Sequence, residues 1–487
     1  MELKKNRAKF FEAKYFGLVI GLLIALTFIV LSLFTPFFDR IEVKVLDIHF
    51  RYKNIFANET IQEGVSFVEQ NPNISPDILI VGIDFRTLSK FGRWPFPRYT
   101  HSYLLDTLGR IRNQNERERS VLLDIFFNEP SNAVDDGILI DSIKENGRVF
   151  LETILDEVPP PSANKDDFYA RQNLLYQNYG EIKNIVGDWE NMISFSGLQP
   201  PLQPYAKATH GYGHPNYIKD SDEIYRRQHL VAKSSIPIQE IKLQDLSVDL
   251  KIDHNNFQRL AWTDKSNRQH SIPYPLTESI IEKLNREMEA NAPLKTVDSN
   301  NDGTPDERYY VVRVYQDHFV PAITLSLALD YFNKKLSDIE VNLGKYIFIP
   351  HPQHFNTKTG LWEPYKKMIS PPKYNADGEV IKEAEYELVP DIKIPIDENG
   401  TMLVNFMGPP SFSTPGERQT FPVRSYSGYA SNPPGLDPAK WPPTRALGNK
   451  IVMVGAFARG MSADEKPTPY GLMYGVEIHA NALNTIL

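Results

Sequence analysis

Cysteine is absent from all 487 residues. Disulfides, thiolate nucleophiles, iron–sulfur clusters and cysteine-bound zinc are therefore excluded. A chain of this kind outside the cytoplasm is held by its core alone, which this length permits. Dense positive charge is missing too: the net charge is −8, and no long basic run follows the first few residues. That argues against nucleic acid as a partner, because nucleic acid needs a concentrated cationic face. The common catalytic signatures are also absent. There is no HExxH, no GxSxG, no Gly-rich nucleotide loop and no kinase catalytic block. The length allows one large core or two to three domains.

What is present begins with YFGLVIGLLIALTFIVLSLF, residues 15–34, an uncharged run that continues to Phe38. A helix of about 20 apolar residues crosses a bilayer core. Lys4, Lys5, Arg7, Lys9 and Lys14 precede it. Positive flanks stay in the cytoplasm, so everything after Asp39 is expected outside. A cleaved signal peptide would have a shorter apolar region, roughly 7–15 residues, and a small-x-small cleavage site. The run shows neither feature clearly and reads as an uncleaved anchor. We expect a cytoplasmic tip and transmembrane helix over 1–38 and an extracytoplasmic domain over 39–487, placing the protein in the cell membrane.

The stretch DRIEVKVLDIHFRYK (39–53) alternates in a way that fits a strand or a continuing helix, and 54–77 is polar and loop-like. DILIVGID (77–84) is a nearly continuous apolar run ending in an acid, the pattern of a strand buried on both faces. FGRWPFPR follows, with Gly92 for a turn and Pro95 and Pro97 stiffening the approach to a helix. His101, Leu104, Leu105, Leu108 and Ile111 then recur at helical spacing. RSVLLDIFF (119–127) reads as a second buried strand, DDGILIDSIKENG (135–147) as a helix stopped by Gly147, and RVFLETIL (148–155) as a third strand. This alternation predicts an α/β fold with a mostly parallel central sheet and crossover helices. Regularity fades over 156–310, apart from two short strands around an acidic turn in 211–234 and a helix over 275–291, and 350–390 is a polar insertion. HFVPAITLSLALDYF (318–332) predicts an amphipathic helix starting near Pro321. GNKIVMVGAF (448–457) returns to the buried-strand pattern, and YGVEIHANALNTIL (474–487) closes as a helix. Apolar helical character runs to Leu487, so we expect the protein to continue into something further.

Taken in order, several blocks resemble the type-two CHASE domain. They are DIHFRY, then DILIVGID with FGRWPFPR, LLDIFF and DDGILIDSI, then GHPN with DSDEIYRR. HFVPAITLSLAL, IPIDENGTMLVNFMGP (394–409) and GNKIVMVGAFARGMSADEKPTPYGLMYGVEIHANALNTIL complete the series. Together they span nearly all of 39–487. The resemblance implies an extracytoplasmic sensor after one membrane helix. Similar proteins usually continue through a few more helices into a cytoplasmic adenylate or guanylate cyclase, or a histidine or serine/threonine kinase. Residues 156–200, 235–310 and 350–390 are longer and less regular than the family pattern, and these residues contain no output module.

The candidate ligand residues are Asp84, Arg98, Asp124, Asp135, Arg459 and Asp464. Asp84 and Asp124 end strands expected to be neighbours, and Arg98, in the first turn of a helix, needs a carboxylate partner. Arg459 and Asp464 sit on a loop after the last strand and would meet the same rim. Two readings remain open: a ligand crevice at the strand ends, or a structural Asp84–Arg98 pair with Asp135 as a helix cap. On GVEIHANAL, Glu477 and Asn481 share a face while His479 points elsewhere, and His479 reads as a satisfied helix histidine. GHPNYIKDSDE (213–223) reads as a tight acidic turn between strands, or as a metal site. In DSNNDGTPDE (298–307), Asp298, Asn300, Asp302 and Asp306 with Gly303 match five positions of a calcium loop, but Tyr309 replaces the bidentate glutamate. Calcium is thus the one cofactor expected, and an acidic solvated loop is the other reading. The expected partners are the membrane, a second copy in a homodimer, and a small-molecule or ion stimulus. The functional expectation is a sensory input domain. An anchored metal-dependent hydrolase using the strand-end acids, or a ligand-free dimerisation scaffold, are the alternatives.

Overall fold

The computed structural model describes residues 16–35, 37–53, 73–111, 113–157, 165–179, 181–297, 305–375, 379–414, 417–430, 447–458, 461 and 464–487. Helix α1 (Phe16–Phe34) carries the uncharged run. Its window Phe16–Leu33 has a mean hydropathy of 2.8 and no cover from the rest of the chain. It is long and apolar enough to cross a membrane. Helix α2 (Phe37–Lys53) decides between the two readings of 39–53. Val43 and Phe50 are buried, with Leu46 packed beside them, whereas Ile41, Val45 and Ile48 stay exposed. The buried set recurs at helical, not strand, spacing.

The central sheet has six strands: β1 (Ile78–Ile83), β2 (Ser120–Leu123), β3 (Val149–Glu152), β4 (Gly211–Gly213), β5 (Val423–Ser425) and β6 (Ile451–Ala456). Their order is β5-β1-β6-β2-β3-β4, and every pairing is parallel. Both faces are covered, which is why the strands read as unbroken apolar runs. Leu79, Val81 and Ile83 alternate onto one face. There they join Leu104 and Leu108 of α4 (Arg98–Gly109) and Leu139 and Ile143 of α5 (Ala133–Asn146). Ile78 and Ile80 point the other way, toward α6 (Ile323–Tyr331) and α7 (Gly475–Ile486). Each such side chain contributes roughly 1.5–3 kcal/mol on burial, so this two-faced core dominates the stability.

Four expectations are corrected. β6 lies between β1 and β2, so Asp84 and Asp124 do not end adjacent strands. The cap of α5 is Asn132, whose side chain accepts from Val134 N at 2.9 Å, and not Asp135. Gly147 does end α5, in the left-handed region at φ 71°. In 318–332 a strand continues to Pro321 and α6 starts at Ile323, close to the expected start; what is corrected is its amphipathic character. α6 is buried nearly all round, and β4 abuts its start; a Cβ on Gly213 would lie 2.3 Å from Ile323 N. Finally, 156–310 is more regular than expected. Val231–Lys242 pairs antiparallel along Val311–Pro321 in a five-stranded sheet, and the expected helix, Glu278–Asn291, buries Leu284 and Met288 under it. Residues 350–390 form short antiparallel hairpins.

Candidate functional site

The carboxyl ends of β2, β3 and β6 open into a cavity of about 680 Å³. Trp94, Phe126, Tyr217 and Tyr225 make much of its wall. Its floor is acidic. The register pairs Leu123 with Leu151, so the next residues, Asp124 and Glu152, are cross-strand neighbours on one face. Asp124 N donates to Val454 O at 2.9 Å, which holds the acid at the sheet edge. α7 brings in His479, whose Nε2 stands 3.4 Å from Glu152 Oε1. Its Nδ1 lies 3.0 Å from the Tyr217 hydroxyl. One ligand atom from each of Asp124, Glu152 and His479 falls within 4.8 Å of the others. Asp464 and Lys466, at the start of the hairpin Glu465–Tyr474, close the rim.

Glu152 is 2% exposed and His479 3%. Burial, reinforced by the Asp464 charge, pushes Asp124 up to about 7, while a hydrogen bond with Glu152 and then the Lys466 charge oppose this. Burial and the facing Asp124 hold Glu152 well above the usual carboxylate range. Burial also raises Asp464. The same burial lowers His479 to about 3, so its imidazole is neutral and keeps a lone pair. Two carboxyls this close both ionise only with a cation between them, and otherwise share a proton.

Of the residues singled out in the sequence, Asp124 and Asp464 meet in this cavity. Asp84 sits at the end of β1 as the N-cap of α3 (Phe85–Phe91). It accepts from Thr87 N at 2.9 Å and from the Thr87 and Ser425 hydroxyls at 2.8 Å each. Arg98 was expected to pair with Asp84 or Asp124 and reaches neither. It pairs with Asp136 at 3.7 Å, donates to Phe126 O and Glu129 O, and stacks 4.5 Å over the Phe127 ring. Asp135 lies in the first turn of α5 beside that pair. Arg459 lies outside the described residues. So do Asp298, Asn300 and Asp302 of the calcium-like loop; Asp306, at its far end, donates its N–H to Val297 O at 2.8 Å.

Glu477 and Asn481 do share a face of α7. They accept from Ser411 N and Met407 N at 2.9 and 2.8 Å and so fasten the 407–411 loop. The stretch 213–223 is the tight turn, because Asp220 and Asp222 both grip Arg226. Glu152 was not recognised as a site residue from the sequence. Its one signal was an acid closing a short apolar strand, as Asp124 does.

The cavity adjoins helix α2. Arg226, fully buried in the strand Tyr225–His229, makes a two-pronged pair with Asp47 of α2, at 2.8 and 2.9 Å. Phe50 of α2 is buried edge-on against Phe406. The turn of the Glu465–Tyr474 hairpin holds the same helix: Tyr470 donates to Phe50 O, and Pro469 O accepts from Arg51. Tyr225 and Lys466, from the same two hairpins, line the cavity.

No curated protein and no solved structure gives a match to the chain. The model of one family does match, over residues 22–487, and that span includes the parallel sheet, the cavity and helix α2. The chain belongs to the CHASE2 domain family, the extracellular sensor domains.

Proposed function

We propose that this chain is the input domain of a membrane-bound signalling receptor, anchored by α1, and that its stimulus enters the strand-end cavity to regulate a cytoplasmic nucleotide cyclase or kinase. The observation that carries the reading is the sharing of two hairpins. Tyr225 and Lys466 line the cavity, while Arg226 and Tyr470, on the same hairpins, hold α2. A ligand that binds one arrangement of those hairpins better than another shifts the position of α2, and through it α1. It acts by that difference in affinity alone. Removing residues 54–470 from the intact receptor tests this. We expect output to become independent of stimulus; regulation that persists unchanged overturns the reading.

The cluster of Asp124, Glu152 and His479 also favours a second reading, an anchored metal-dependent hydrolase. That reading expects turnover of phosphate or glycan esters by the purified chain, abolished in Glu152→Gln. Absence of turnover across both ester classes removes it.

A further inference from the structure

We propose that Asp124, Glu152 and His479 bind one divalent transition-metal ion at the floor of the strand-end cavity. This names a ligand class for the proposed input domain and rests on that reading only for its signalling consequence.

The first support is a contrast among buried acids. Six are buried among the described residues: Asp84, Glu118, Glu152, Asp264, Asp317 and Glu477. Five have donors. Asp84 has Thr87 and Ser425, Glu118 has Arg117 and Asn146, and Asp264 has Arg268 and His270. Asp317 has Arg259 and Ser235, and Glu477 has Ser411 N. Among the described residues neither oxygen of Glu152 accepts a hydrogen bond, and Asp124 Oδ2 is likewise unmet. Buried carboxylates are ordinarily paired, hydrogen-bonded or coordinated to metal. At the cavity floor the fold instead sets Glu152 against a second acid, Asp124, and against His479 Nε2, 3.4 Å from its Oε1.

The second support is the donor set. The ligand atoms lie within 4.8 Å of one another, so closing in by roughly 1 Å brings them all within the about 2.0–2.2 Å bonds of one ion. Two carboxylates and a neutral imidazole suit zinc, manganese or iron(II). Two negative charges balance the ion, and the cavity side is left open for water or a further ligand. Tyr217 orients the imidazole: with Nδ1–H donating to its hydroxyl, Nε2 presents its lone pair to the carboxylates. Metal-bound histidines characteristically engage their second ring nitrogen in this way. Gly455 leaves room for the arrangement, since a Cβ there would lie 3.0 Å from Asp124 Oδ2.

The test uses the full chain in detergent micelles, stripped with EDTA and titrated calorimetrically with Mn²⁺ and then Zn²⁺. Mn²⁺ electron paramagnetic resonance serves as a second readout. We expect one ion per chain, with Glu152→Gln and His479→Gln each weakening binding by about 100-fold or more. Asp306→Asn, in the calcium-like loop, is expected to leave it unchanged. Glu152→Gln relieves two facing acids, so the metal-free variant should unfold no earlier than the parent, which separates lost binding from lost folding. No binding up to millimolar metal overturns the proposal. So does binding that survives Glu152→Gln or disappears in Asp306→Asn. A silent titration beside a deletion that abolishes stimulus dependence would remove the metal site and leave the input role standing.

Discussion

Asp47→Asn tests the attachment of helix α2. Asp47 meets fully buried Arg226 through two charge-assisted bonds, at 2.8 and 2.9 Å. The amide oxygen of asparagine still accepts one of them from the charged guanidinium, and the other is lost. A hydrogen bond to a charged group contributes about 1.5–3 kcal/mol. The net loss is therefore about 1.5–3 kcal/mol. Arg226 keeps Asp220 at 3.0 Å and Asp222 at 2.7 Å, so no buried cation is stranded. Phe50 still packs on Phe406, worth roughly 2–3 kcal/mol. α2 should stay docked in most molecules while its opening rises about 10–150-fold. Amide hydrogen exchange on the full chain in micelles reads this directly: protection falls by that factor in 37–53 and is unchanged in β1, β2 and β6. Arg226→Met is the contrasting variant. It leaves Asp47, Asp220 and Asp222 facing one another without the guanidinium, a cost of about 3–5 kcal/mol that lowers protection throughout. Unchanged exchange in 37–53 on Asp47→Asn, or an equal loss in the sheet, refutes the latch.

Two further outcomes follow from buried groups away from the cavity floor. Lys233, 1% exposed, donates to Trp189 O and Glu190 O, and burial pushes it down to about 7 from an ordinary 10.5. The unfolded chain holds this proton over pH 7–10.5 and the folded chain does not, so the group makes stability rise across that window by at most about 1.4 kcal/mol per pH unit. Below pH 7 its penalty is fully present and flat. Lys233→Met should remove this component of the slope in denaturant titrations from pH 7 to 10; parallel wild-type and variant profiles would refute it. Asp84→Ala removes the N-cap of α3 and should cost about 1–2 kcal/mol in denaturant melts while leaving metal titrations untouched. A loss of metal binding without loss of stability would return Asp84 to the cavity.

The parallel layer was legible because burial on both faces writes itself into the sequence. DILIVGID, SVLL and KIVMVGA show it, and Gly147 marks where α5 ends. What the sequence hid was order. Parallel strands far apart in the chain pair without a local signal, so nothing in 448–457 announced that β6 would part β1 from β2. The misplaced Arg98 pairing follows from that single error. Expected beside two strand-end acids, it instead found Asp136, one residue past the candidate Asp135. The antiparallel sheet in 231–321 was obscured for a different reason. VAKSSIPIQEIK is buried over its first half and exposed over much of the rest, so neither period nor hydropathy stands out. Two of the three residues in the proposed metal cluster were within reach. Asp124 was named, and His479 was considered and set aside as a helix histidine. Glu152 looked like the middle of a strand because RVFLETIL runs on, whereas β3 stops at Glu152 and Ile154–Asp156 pairs in another sheet.

The position of the cavity, more than its contents, favours an input role over a purely structural one. Burying Arg226 with three aspartates is costly unless the geometry is closely held, and an apolar contact could dock α2 as well. What the ionic latch adds is dependence on the shape of the Tyr217–Tyr225 turn, since Asp220 and Asp222 belong to it and Asp47 to the helix. Residues flanking that turn, Tyr217 and Tyr225, line the cavity, and Tyr217 also orients His479. An ion or ligand that draws His479 and Tyr217 together therefore acts on one end of a short hairpin whose turn grips helix α2. A ligand-free scaffold would need neither the unpartnered carboxyls at one end nor the charged grip at the other. Even a differential affinity of about 1.4 kcal/mol between two hairpin shapes changes their ratio tenfold, which is the scale on which a receptor input has to operate.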